Sequence, residues 1–269
     1  RVEPVERAHR DRIRVTRDSP EAFEEPIWSH FFPHDPAAES DLVDPQSAHP
    51  RFERLFSAHL AKLVCARGAK RYVGKGNYDT LRMGYLGRVF PDARFIVPIR
   101  RPLAQVASLL KQDRLYADAP VRTLRHIASR GHHEFGPMQR LIRIDADQTA
   151  AADAARRAGR LADAWLLQWL AVYGQVERMR ATLAPASRLW VVAYETLCAE
   201  PETTLLRLLD AVDIDACDRA SAEAAIRDEW AARFVAADGA PLSADSVEPA
   251  LLAQAEALHA RLTSPAFAR

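Results

Sequence analysis

RYVGKGNYDTLRMGYLGRVFPDARFIVPIRRPLAQVASLL, residues Arg71 to Leu110, alternates two element types in a fixed order. Two short strand-like runs each lead into a helix. Tyr72-Val73 passes through Gly74-Lys75-Gly76-Asn77 into a helix near Thr80 to Phe90. Phe95-Ile96-Val97-Pro98-Ile99 passes through Arg100-Arg101 into a helix that Pro102 opens. Proline suits a first helical position, because its missing N–H would have had no intrahelical partner there. Strand, turn and helix, twice over, predict a parallel sheet. Ligands of such sheets bind beyond the carboxyl ends of the strands. Lys75 and Arg100 both stand at such ends.

Working outward, Phe52, Leu55, Phe56, Leu60, Leu63 and Val64 follow a helical period and predict a helix over Arg51–Ala66. Upstream of it, residues 31–50 are rich in Pro, His, Asp and Ser and read as a loop. Ser19-Pro20 followed by Glu21, Glu24 and Glu25 has the cap, the early proline and the first-turn acids of a short helix running to Trp28. Arg1 to Asp18 is a charged mixture, read as a connector or a surface helix. Downstream, Asp118–Arg130 predicts a helix. Thr149–Leu183 predicts a long one, which Gly159 and Gly174 could interrupt. Its stripe of Leu161, Trp165, Leu166, Trp169, Leu170, Val172 and Tyr173 reads as core. Arg188–Ala193 is a third strand, ending at Tyr194-Glu195-Thr196-Leu197. Pro201 opens a helix to Val212, and two polar helices follow near Asp218–Val235 and Glu248–Leu262.

The 269 residues suffice for one α/β domain or two small ones. A net charge of +1 gives no global field for nucleic acid or a membrane surface, so any anion site must be local. Three scattered cysteines, Cys65, Cys198 and Cys217, have neither ligand spacing nor a disulfide pattern, which fits a reducing, cytoplasmic compartment. No apolar run approaches the length of a membrane-spanning helix, and no signal peptide is visible. Gly131-His132-His133-Glu134-Phe135-Gly136 invites a metal reading, but adjacent histidines do not share one helical face. Surface and capping roles stay open for it, and no metal is expected.

Arg100 and Ser108 have a physical logic of their own. A guanidinium at a strand end and a hydroxyl about two turns into the next helix can converge on one phosphate. As an ensemble, Lys75, Phe90-Pro91, Arg100, Pro102 and Ser108 resemble the sulfotransferases that use 3′-phosphoadenosine 5′-phosphosulfate, closest to their tyrosylprotein-type and bacterial branches. Arg101 departs from that pattern, which has Asp or Asn there. The resemblance spans about Pro20 to Val212. It implies a three-layer α/β fold similar to P-loop NTPases, with a central parallel sheet flanked by helices, and one domain over 1–269 with a helical part at 213–269. It implies that Arg100 and Ser108 hold the donor's 3′-phosphate and that Tyr194 lies near its adenine end. Lys75 would stabilise charge on the leaving oxygen. Cytosolic members place a His base two residues after the Lys. Asn77 stands there instead, so the base falls to Glu24 or Glu25, a pair that resembles the Glu-Glu of the tyrosylprotein-type enzymes. The resemblance also implies a hydroxyl acceptor, on a small molecule, carbohydrate, lipid or peptide. It leaves an acceptor-pocket role open for Gly131-His132-His133-Glu134-Phe135-Gly136, which is similar to a Gly-His-x-Glu-Phe-Gly segment of bacterial members.

Two other readings compete. A nucleotide or sugar kinase would need Mg²⁺ ligands, and no Asp closes a strand in the manner such enzymes use. A nucleotide-binding module without chemistry would keep the phosphate clamp alone. The resemblance further implies a strand and a Gly-Ser/Thr turn to wrap the 5′-phosphosulfate. Ten glycines are present, none before Gly68. That loop is therefore expected upstream of Arg1, leaving a gap in the sheet beside the Val73 and Ile99 strands.

Overall fold

The structure is a computed structural model that describes residues 3–6, 14–16, 19, 24–129, 133–136, 139–183, 188–234 and 242–264. Two parallel strands, β3 (Phe95–Ile99) and β4 (Leu189–Ala193), lie at its centre. They pair in register from Phe95↔Leu189 to Ile99↔Ala193. One face of β3 carries Phe95, Val97 and buried Ile99 into the main core, while Ile96 and Pro98 on the other face are exposed. Proline lacks the N–H of a central strand. Pro98 therefore suits a strand with an open edge.

The core facing this pair comes from three helices. They are α4 (Pro102–Ala117), α7 (Leu161–Leu183) and α11 (Pro249–Leu262). Val106, Leu166, Trp169, Val176, Leu252, Ala255 and Leu258 pack with Ile99 and Val191 in one cluster. Burying side chains of this size stabilises by roughly 1.5–3 kcal/mol each. Ahead of α7 lies α6 (Ala146–Arg157), capped by the Asp145 carboxylate, which accepts from the Gln148 N–H at 2.9 Å. Gly159, at φ +74°, ends α6. Arg160 N–H reaches back to Ala155 O at 2.9 Å and Gly159 N–H to Arg156 O at 3.0 Å, the paired bonds of a left-handed helix stop. Gly174 interrupts nothing, because α7 runs through it.

A second cluster is aromatic. Helices α1 (Glu24–Phe31), α2 (Pro50–Ala66) and α3 (Met83–Val89) meet through Trp28, Phe52, Phe56 and Tyr85, all buried. Three further helices follow the sheet, α8 (Tyr194–Ala199), α9 (Pro201–Ala211) and α10 (Ala216–Ala225), and α5 (Val121–Ala128) lies earlier, beyond α4.

Several sequence expectations need correction. Tyr72-Val73 is not a strand. Val73 is 87 % exposed, and the segment hangs by its side chains instead of by a backbone ladder. Lys70 pairs with Asp215 at 2.9 Å and Asp218 at 3.0 Å, the Arg71 guanidinium bonds the carbonyls of Val212 and Asp213, and the Tyr72 hydroxyl bonds Glu24. The gap expected beside a Val73 strand and β3 therefore loses its first neighbour, while among the described residues β3 pairs with β4 along one edge only. Within Arg1–Asp18, Val5–Glu6 (β1) and Arg14–Val15 (β2) form an antiparallel pair, neither connector nor helix. The Ser19 hydroxyl accepts from the Thr16 N–H at 2.9 Å and so closes a turn, while α1 starts at Glu24. The expected helix start at Pro20–Phe23 lies outside the described residues.

Candidate functional site

Two groups of polar side chains gather the residues singled out from the sequence. The first lies at the carboxyl ends of β3 and β4. The register that pairs Ile99 with Ala193 brings their successors, Arg100 and Tyr194, side by side. The Arg100 guanidinium carbon lies 5.0 Å from the centre of the Tyr194 ring, within cation–π range. Next along, Glu195 Oε1 accepts from the Arg101 N–H at 2.9 Å, which fastens the start of α4 to the start of α8. From α7, the Tyr173 hydroxyl donates to Pro98 O at 3.1 Å. Burial pushes Tyr173 up to about 12, with the Arg100 charge acting against that shift. Burial also raises the Tyr194 hydroxyl, helped by a hydrogen bond with Cys198.

Four buried polar atoms around this end have no hydrogen-bond partner among the described residues: Arg100 Nε, Glu195 Oε2, Trp169 Nε1 and His259 Nε2. Natively folded proteins leave few buried polar atoms unpaired, so such a group of orphans marks a place for water or ligand. Burial holds His259 below the ordinary histidine range, with Glu195 pulling the other way. Ser108 sits half-buried on α4, about two turns from its start. No hydrogen bond joins it to Arg100.

The second group surrounds the turn after Arg71. Lys75 Nζ donates to Asn77 Oδ1 at 2.6 Å, and Asn77 Nδ2 donates to Glu134 Oε1 at 2.8 Å. Glu24 accepts from the Tyr72 hydroxyl. Glu25 takes a two-pronged bond from Arg82, at 2.6 and 2.8 Å. Arg82 is nearly buried, and its guanidinium carbon lies 4.4 Å from the centre of the Trp28 ring. Asp79 lies 3.7 Å from Arg82. Burial raises the Asp79 carboxyl, and Glu25 and Glu24 add to the rise against Arg82 and Lys75. The Asp79 carboxylate also covers Gly76, where an added Cβ would come within 2.6 Å of its Cγ.

The structure thus brings Lys75, Glu24 and Glu25 around one turn, and Arg100 and Tyr194 around one sheet end. Sequence reading missed Arg82, Asp79, Tyr72 and His259. Of these, only Asp79 and Arg82 carry a local sequence signal, an acid and a base three residues apart. Among the described residues, no group of three His, Cys, Asp or Glu side chains could hold a metal, and no helix is long and apolar enough to cross a membrane. Gly131 and His132 of the His-His-Glu segment lie outside the described residues.

The family model described as "Sulfotransferase family" matches residues 2–218, most of the chain and every residue of the two polar groups except His259. The chain belongs to the sulfotransferase family. No curated protein and no solved structure matches it. In keeping with that family it has an α/β fold with a small parallel sheet, and its clustered polar side chains lie at the ends of those strands and around the turn before them. The part of the chain beyond the matched residues still reaches the sheet end, through His259 of α11.

Proposed function

We propose that the chain moves a sulfuryl group from 3′-phosphoadenosine 5′-phosphosulfate to a hydroxyl acceptor, which could belong to a small molecule, carbohydrate, lipid or peptide. The observation that carries the reading is the Arg100 guanidinium at the strand end, stacked on Tyr194 with a buried, unpaired Nε. An arginine fork suits a phosphate, and an aromatic face beside it suits a base. The residues present fit the donor on that ground. When bound, the donor supplies an activated sulfuryl group on a nucleotide bisphosphate leaving group.

The chain's own residues then have separate tasks. Arg100 binds the 3′-phosphate, with Ser108 as a second donor, and Tyr194 lies along the nucleoside. Lys75 stabilises the negative charge that grows on the leaving oxygen, the largest kind of help an enzyme gives such a transfer. A carboxylate takes the acceptor's proton. Of the pair Glu24 and Glu25, we assign Glu24, because both oxygens of Glu25 are held by Arg82. The three-layer arrangement, one domain over residues 1–269 and a cytoplasmic setting belong to the same reading.

The test is turnover of sulfate-labelled donor against a panel of hydroxyl acceptors. Lys75→Ala and Glu24→Gln should each lose about 100-fold or more in kcat, the usual weight of a lost charge stabiliser and of a lost positioned base respectively. Glu24→Gln should keep the parent's affinity for the donor. Parental turnover in Glu24→Gln would overturn the base assignment. Donor binding with no labelled product on any acceptor would favour a binding module without chemistry.

A further inference from the structure

Lys75 is one end of a directional chain of hydrogen bonds. Its ammonium donates to Asn77 Oδ1 at 2.6 Å, and Asn77 Nδ2 donates to Glu134 Oε1 at 2.8 Å. An ammonium only donates, an ionised carboxylate only accepts, and an amide does one at each end. With Glu134 against Nδ2, the amide oxygen faces Lys75. Turned over, the amide would set two donors nose to nose and point its oxygen at a carboxylate. Both bonds carry a charge at one end, so each is stronger than a neutral pair.

All three side chains lie near the surface, so their value is orientation more than stability. Orientation is needed here, because Lys75 has another anionic neighbour. The Asp79 carboxylate feels the Lys75 charge and sits over Gly76, the next residue. Without the Asn77 amide held in place, that carboxylate would draw the ammonium toward the turn. Glu134 arrives from 57 residues further along the chain than Asn77, so the bond also ties its loop to the Lys75 turn.

We propose that Glu134 is a positioning residue, which holds the Lys75 ammonium at its post through the Asn77 amide. The proposal rests on the role given to Lys75 above, and its test separates the two. The full chain is treated with acetic anhydride, and acetylation of Lys75 is followed by mass spectrometry, with Lys62 and Lys111 as references in the same sample. Glu134→Ala should speed Lys75 labelling about fivefold, the factor for losing one ordinary hydrogen bond. It should also lower kcat with little change in KM for the donor. Asn77→Asp alone sets a carboxylate against Glu134 and should lower kcat as well. Asn77→Asp combined with Glu134→Gln rebuilds the chain, because the new carboxylate accepts both from Lys75 and from the new amide. The double variant should restore slow labelling and kcat together. A purely structural role for Glu134 gives no such rescue. Unchanged Lys75 labelling in Glu134→Ala, or a double variant no better than Asn77→Asp alone, overturns the proposal. Faster labelling with parental turnover upholds the positioning and overturns the role given to Lys75.

Discussion

At the scale of single residues, the two neighbouring glutamates of α1 have different fates. Glu25 is locked to a nearly buried arginine that also rests on Trp28. Removing one partner of such a pair leaves the other charge stranded, and Glu25→Gln should cost about 3 kcal/mol, the low end for buried pairs because Glu25 keeps some exposure. Urea unfolding measures this, and a loss within experimental error would mean Arg82 finds another partner. The sequence could name the pair Glu24-Glu25 but could not separate them, since the separating residue, Arg82, lies 57 positions away. Asp41 offers a pH test at the same scale. Burial pulls its carboxyl up, but Arg143, which donates to it from side chain and backbone, outweighs that and holds it below the ordinary value of 3.8. A carboxyl depressed on folding adds stability above its unfolded value and loses it as pH falls through the lower folded value. Asp41→Asn should therefore melt below the parent at about pH 6, and the gap between the two melting curves should close as pH falls below the ordinary carboxyl value of 3.8 and through the lower folded value. A gap that persists in acid would assign the stabilisation to something other than this charge.

At the scale of elements, the glycines of the long helical stretch give opposite predictions. Gly159 sits at φ +74° with no atom within 4 Å of an added Cβ, so Gly159→Ala meets only a backbone penalty and should destabilise by about 1 kcal/mol. Gly174 lies inside α7, where an added Cβ would meet only the Arg178 side chain at 3.8 Å. Gly174→Ala should stabilise by up to about 1 kcal/mol. Thermal melts of both variants decide it, and the same sign for both would contradict this account of the helix break. From sequence the two glycines looked alike, because a helix stop depends on the bonds the next residues can make. Strands β3 and β4 and helices α2, α4 and α9 were legible, since their apolar runs and opening prolines are local signals. The Tyr72-Val73 strand was misread because a strand is made by its neighbour. Here the neighbours are Asp215, Asp218 and Glu24, which hold the segment by side chains from far along the chain.

At the scale of the whole molecule, the family match ends at residue 218, yet the core does not. Leu252, Ala255, Leu258 and Leu262 of α11 pack in the same cluster as Ile99 and Val106. Losing several such side chains, at roughly 1.5–3 kcal/mol each, is comparable with the entire stability of an ordinary domain. A fragment of residues 1–218 should therefore lack a cooperative melt, and a sharp transition in it would make the C-terminal helices an addition and not part of the core. This dependence was hidden in sequence because α11 is short and of mixed polarity, and only its placement against α4 and α7 makes it core. The group at the sheet end was partly legible. The strand-ends rule pointed to Arg100 and, through a strand that is not there, to Lys75, and the resemblance pointed to Tyr194, whereas the orphaned polar atoms around Arg100 appear only in three dimensions.

The central claim is that Arg100, at the end of β3 beside Tyr194, binds the phosphate of an adenosine bisphosphate. Calorimetric titration of 3′-phosphoadenosine 5′-phosphate into the parent protein and Arg100→Ala tests it most directly. Saturable binding by the parent and a loss of roughly 2–5 kcal/mol in the variant, the cost of leaving such a charge unpaired, is the predicted result. Equal affinity in the two proteins would contradict it.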